Sequence, residues 1–261
     1  MIYDSENEIL EDCFAEEPSD VLIFSDNEND DETLYNESVL IYQKIISSKQ
    51  WFDNSKNTNN PPDMINDDLK TFLEVMRFDD HSSNGKENAN RARASKMQEE
   101  LFDKMPEAKD KRVFINAVTD LPTDEDHSYR KYLNGFKRTV EKHLNKISKY
   151  VSNYPDYKKG FFVFDESSGI YYELINRTRK EELEHRTGAE CRPHWFFLDK
   201  AFVSIFLNSD LDYLIWYAPY KIDTNHLELK MPKVVFFDLK RFKCNNMLMD
   251  FDEPRMISCE V

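Results

Sequence analysis

The sequence predicts an α/β fold: a mixed, largely buried sheet flanked by helices, with an acidic N-terminal tail. Three observations predict it. Several short runs are continuously apolar, among them Val113-Phe114-Ile115, Phe161-Phe162-Val163-Phe164, Tyr213 to Ala218 and Val234 to Asp238. Strands of that type are covered on both faces. Segments of helical period separate them. The third observation is composition: 40% of the 261 residues are apolar and 13% aromatic, against five glycines, so a sizeable core is available.

The net charge of −15 is unevenly placed. Residues 1 to 43 hold fourteen Asp or Glu and no Lys or Arg, which leaves the remainder at a net of −1. The body is therefore not a uniformly basic nucleic-acid scaffold. Residues 1 to 33 are expected to form a mostly irregular acidic segment, in which Val21-Leu22-Ile23-Phe24 is an edge strand or a docking motif. Residues 34 to 261, without an internal repeat or a Gly/Ser linker, are expected as one domain.

The first helix is expected over 34 to 50, with Asn36 as its cap and Glu37 in its first turn. A hairpin, or a loop and one strand, follows over 63 to 80, turning at Asn66-Asp67-Asp68. A helix is expected over 90 to 105 and a strand over 111 to 119. The acids Asp124, Glu125 and Asp126 suit the start of a long helix over about 127 to 152. Its inner stripe is Tyr132, Phe136, Val140, Leu144, Ile147 and Tyr150, with His127 and His143 at the surface. The strand at 160 to 164 has Ile170 to Ile175 as a candidate partner. Arg177 to Glu190 reads as helical or mobile, and Trp195 to Leu207 as a helix or a strand followed by a helix.

No stretch reaches the roughly 18 apolar residues of a membrane span. Four cysteines lie far apart (Cys13, Cys191, Cys244, Cys259), which suits reduced thiols and a cytoplasmic setting. His185, Cys191, His194 and Cys244 lack zinc-site spacing. Neither a P-loop, a GxGxxG turn nor a Gly-x-Ser-x-Gly elbow is present. Nucleotide cofactors and serine hydrolysis therefore have no motif behind them.

One stretch stands apart. Pro62-Asp63 precedes a polar turn and then an apolar strand, Phe72 to Phe78, interrupted by Glu74. A carboxylate inside such a strand is costly unless something binds it. The order helix, Pro-Asp, strand with an internal Glu, helix, strand resembles the PD-(D/E)xK nuclease superfamily over about residues 34 to 120. That resemblance implies a divalent cation, Mg²⁺ or Mn²⁺, held by Asp63 and Glu74, with Glu37 as the acid from the preceding helix. It implies a nucleic-acid substrate and a lysine two residues after the second acid. Met76 stands there instead. Lys70 has the right strand parity but lies about 13 Å away along the strand, and Lys96 on the next helix is the other candidate. A purely structural reading has Pro62-Asp63 start a turn and Glu74 pair with Arg77 or Arg91.

Two rivals remain at this stage. Asp165, Glu166 and Asp238-Leu239-Lys240 end apolar strands, where ligands of open α/β sheets bind. Alternatively, the chain is a non-catalytic binding or regulatory protein that contacts a protein partner through its acidic tail and the aromatic strand Tyr213 to Tyr220.

Overall fold

The computed structural model describes residues 3, 5–25, 32–55, 62–79, 128–167, 169–185, 190–221, 231–242 and 247–258. In chain order these form α1 (Glu6–Phe14), β1 (Val21–Phe24), α2 (Glu32–Ser47), β2 (Phe52–Asp53), β3 (Met64–Asn66), β4 (Thr71–Phe78), α3 (Tyr129–Tyr150), β5 (Lys158–Asp165) and β6 (Tyr171–Leu174). Then come α4 (Arg179–His185), β7 (Cys191–Pro193), α5 (Lys200–Leu207), β8 (Tyr213–Tyr217), β9 (Val234–Asp238) and β10 (Met256–Ser258).

Seven strands make one mixed sheet in the order β1-β9-β8-β5-β4-β3-β2. Its centre is parallel: β4 pairs β5, and β5 pairs β8. The flanks reverse direction, with β3 antiparallel to β4 and β9 antiparallel to β8. Among the described residues, α3 lies in the connection between parallel neighbours β4 and β5.

Both faces of this sheet are covered, which explains its unbroken apolar strands. On one face Phe72, Met76, Phe78, Phe161, Val163 and Trp216 meet α3 and α5. Phe136 of α3 stacks on Trp216 with ring centroids 4.9 Å apart, a burial worth roughly 1.5–3 kcal/mol per large apolar side chain. On the other face Leu73, Val75, Phe162, Ile215 and Phe236 meet α1 and α2 through Ile9, Leu10, Cys13, Tyr42 and Ile45.

Several expectations need correction. The first 33 residues are not mostly irregular among those described. Ser5 caps α1 by accepting from the Glu8 amide at 3.3 Å, and Ile9, Leu10 and Cys13 are buried. β1 is an edge strand, parallel to β9. Lys233 holds this segment down through Glu16 at 2.6 Å and Asp20 at 3.1 Å. The second helix begins at Glu32, so Asn36 does not cap it and Glu37 lies past its first turn. Ile170 to Ile175 does not join β5; β6 pairs β10 and β7 in a separate three-stranded sheet. The aromatic strand is not a surface, because every residue of β8 is buried. The helix expected at 90 to 105 and the strand at 111 to 119 lie outside the described residues. No helix among the described residues is long and apolar enough to cross a membrane.

Candidate metal centre

The β3–β4 hairpin builds the site. Its turn closes where Asn66 Oδ1 accepts from the Leu69 amide at 3.0 Å, and Lys70 takes a left-handed φ of 48°. Met64 pairs with Leu73 and Ile65 with Phe72. One step further along this register, Asp63 falls opposite Glu74. Asp63 Oδ2 accepts from the Val75 amide at 2.8 Å, which continues the ladder through a side chain.

Glu74 points to the α3 face of the sheet, as strand alternation requires. It is fully buried. His143 Nδ1 lies 2.6 Å from its Oε1, and Lys146 Nζ donates to the same oxygen at 2.7 Å. These residues are three apart on α3 and therefore share one face. The second oxygen, Oε2, is buried and makes no hydrogen bond of good geometry, although the Asp63 carboxyl and the Tyr150 hydroxyl stand close enough to Glu74 to act on its charge. Leaving a buried acceptor unsatisfied costs on the order of 1–3 kcal/mol, more for a charged one.

Asp63, Glu74 and His143 each offer a ligand atom, and these atoms lie within 4.8 Å of one another. Donors about 2.1 Å from a shared ion stand at most about 4.2 Å apart. The spread exceeds that by at most about 0.6 Å. The unsatisfied Oε2 and the two-carboxylate, one-imidazole donor set both fit a divalent cation. The two carboxylates suit Mg²⁺ or Mn²⁺, and the imidazole is the softer donor of the set.

Electrostatics separates the acids. Burial pushes the Glu74 carboxyl up, but the hydrogen bonds from His143 and Lys146 outweigh it, so Glu74 sits below its ordinary value and stays ionised. Lys146 is pulled down by burial and raised further by Glu74, so it stays an ammonium. Asp63 is pushed up to about 6 by burial and by the charge on Glu74. Glu6, in the first turn of α1, is raised to about 8 by burial and then by Asp63, Asp53 and Glu74. Its Oε2 is also buried without a partner.

The hairpin acids are thus brought together, and the rest of the expected set is replaced. Glu37 is drawn away to Arg241 at 2.7 Å; the nearby helix acid is Glu6. Lys70 turns outward, with Nζ 5.0 Å from the centroid of the Tyr157 ring. Lys96 lies outside the described residues. Arg77 pairs with Glu166 and not with Glu74. His143 is a site residue, not a surface one. A signal for it exists: the buried positions 132, 136, 140, 147 and 150 step by 4, 4, 7 and 3, and an interposed 143 divides the gap of seven into 3 and 4. Leu144, at the adjoining position, packs partly buried against the same core.

The rival cluster is dispersed. Asp238 pairs with Tyr213, which pairs with Gly160. Asp165 therefore stands five residues along β5 from that row, about 16 Å away. Asp165 bonds Ser167 and Tyr132, with Lys221 Nζ at 3.5 Å. Asp238 bonds Ser38 and Arg241. Each is a satisfied strand-end acid. Comparison of the chain with protein-family models, with curated proteins and with solved structures finds no match.

Proposed function

We propose that Asp63, Glu74 and His143 bind a divalent cation, Mn²⁺ or Mg²⁺, and that the protein is a metal-dependent phosphodiesterase of the nuclease type. The observation that carries this reading is the unsatisfied Oε2 of fully buried Glu74, beside two further ligand groups within 4.8 Å. The helix α2 and the hairpin that sets Asp63 opposite Glu74 are the parts of the PD-(D/E)xK resemblance that lie within the described residues; its following helix and strand, expected over 90 to 105 and 111 to 119, lie outside them.

A bound cation would supply charge neutralisation at phosphate and a more acidic water. Asp63, Glu74 and His143 are the residues to hold it. Hydrolysis adds water across one P–O bond and leaves a phosphate monoester and a free hydroxyl. Lys146 stays protonated, so its role is to hold charge on phosphate and not to remove a proton. Glu6, with a pKa near 8, exchanges its proton close to neutral pH, as a general acid or base must.

A second reading, a non-catalytic binding protein, draws on one observation: the Glu74 charge is already answered by His143 and Lys146. Its aromatic surface is absent, because β8 is interior. Calorimetric titration with Mn²⁺, followed by incubation with single- and double-stranded DNA and RNA, separates the two. The expected result is metal-dependent cleavage that falls at least about 100-fold in Asp63→Asn and Glu74→Gln. Equal cleavage by all three proteins rejects the site, and metal binding without cleavage of any substrate favours the second reading.

A further inference from the structure

The charges of α3 sort by rotation. Lys131, Arg138, Lys142 and Lys149 are all exposed. They are separated by seven, four and seven residues, so at about 100° per residue they fall within about 20° of one line. That line rises about 27 Å over 18 residues. The helix holds seven Lys or Arg and one Glu, in a chain whose net charge is −15.

Several bases elsewhere in this acid-rich chain meet acids. Lys158 pairs with Asp212, Lys240 with Asp210, Arg192 with Glu173 and Arg255 with Asp252. Among the described residues no carboxylate pairs with Arg138, Lys142 or Lys149, whereas Lys131 has an interaction of its own within the protein. Like charges four apart, as in Arg138 and Lys142, repel by about 0.2–0.5 kcal/mol, an effect partly offset by Glu141 three residues from Arg138. His143 and Lys146 project from the turns between Lys142 and Lys149, so the line passes beside the candidate metal centre.

We propose that this line on α3 is a docking surface for the phosphate backbone of a nucleic acid, running it past Asp63 and Glu74. Its placement as a substrate track rests on the phosphodiesterase reading; binding along α3 does not. The exposed residues between the cations are Asn134, Glu141, Asn145 and Ser148. A helix that lies in a lipid surface needs apolar side chains beside its cations, and none stands there. A straight 27 Å row suits a rod of regularly spaced phosphates, spanning about eight base pairs at about 3.4 Å each. Contacts of this kind set position without reading sequence.

The test is fluorescence anisotropy of the full chain with a mixed-sequence 20-base-pair duplex in EDTA, between 50 and 200 mM KCl. Four neutralised phosphates give a log–log salt slope of about −3.6, a loss of about 150-fold across that range. The triple variant Arg138→Gln, Lys142→Gln, Lys149→Gln is expected to lose only about 4-fold, its slope reduced by about 3. Lys44→Gln with Lys49→Gln, exposed on or just after α2, leaves the slope unchanged. Circular dichroism confirms that each variant is folded. An unchanged slope in the triple variant overturns the proposal, as does an equal drop in the Lys44 and Lys49 pair. So does displacement of the duplex by polyglutamate at equal charge concentration, or binding to phosphatidylserine vesicles in preference to duplex. Glu74→Gln should keep the full slope, so a centre that fails to bind Mn²⁺ leaves this result intact.

Discussion

Lys146 Nζ lies 2.7 Å from Oε1 of Glu74, a residue 72 positions away in the chain. His143 approaches the same oxygen at 2.6 Å, while Oε2 of that carboxylate makes no hydrogen bond of good geometry. One oxygen is held and the other is open. A carboxylate that served only as an ion-pair partner inside a fold would gain by sharing these contacts across both oxygens. The asymmetry instead leaves a lone pair beside Asp63.

Ligand linkage turns this geometry into a thermal measurement. A cation at 100 times its dissociation constant adds about 2.7 kcal/mol to stability, which for a chain of this size raises Tm by about 5–10 °C. Mn²⁺ should produce that shift in the wild type and almost none in Asp63→Asn or Glu74→Gln. An equal shift in Glu74→Gln would place the ion somewhere else.

Lys146→Met should destabilise the protein by roughly 1–3 kcal/mol at pH 7. The figure is discounted for the partial exposure of Lys146. The sign with pH follows from Glu74, whose folded pKa is depressed. Its ion pairing contributes stability above the unfolded pKa of about 4.3 and loses it as pH falls through the folded value. The penalty of Lys146→Met should therefore shrink on acidification, since a protonated Glu74 has less to lose. Chemical denaturation at pH 7 and pH 4 measures it; a penalty independent of pH would show that Lys146 acts by packing alone.

Asp63 and Glu6 give the opposite slope. Both are raised, to about 6 and about 8. The stability tied to their neutral forms is complete below their unfolded values and is lost as pH rises through about 6 and then about 8. Without metal, Tm should fall between pH 5 and pH 9. Glu6→Gln should recover on the order of 1–2 kcal/mol at pH 9 after allowance for solvent screening, and little at pH 5. Saturating Mn²⁺ should flatten or reverse the slope, because ligation needs the ionised acids. A Glu6→Gln melt parallel to wild type across this range would remove Glu6 from the cluster.

Legibility in the sequence followed the range of the interactions. The strands β5, β8 and β9 were readable because a doubly covered sheet writes continuous apolar runs. Asp63 and Glu74 were readable because a Pro-Asp step and a charge inside an apolar strand are local anomalies. His143 and Lys146 were not connected to them, since a contact 69 or 72 residues away leaves no spacing to recognise. Composition hid α1: its Ser5-x-x-Glu8 capping pattern stood inside a run of acids that reads as solvated tail. The partner of β6 was missed because β10 lies at the far end of the chain.

Gly160 links the fold to the site. It pairs with Leu73, the residue before Glu74, and a Cβ there would lie 2.2 Å from Leu73 Cδ2 and 3.1 Å from the Phe72 carbonyl oxygen. Leu73 is itself fully buried, so its side chain has little room to yield. Gly160→Ala should cost roughly 1–3 kcal/mol through overpacking. Part of that cost should return in Gly160→Ala with Leu73→Val, which withdraws the clashing methyl. Coupling between the two substitutions in denaturant midpoints tests this. Strict additivity would mean that the clash is relieved by a shift of β4 away from β5 and not by the Leu73 side chain. In that case Glu74 would move with the strand, and Mn²⁺ binding should weaken in the single variant as well.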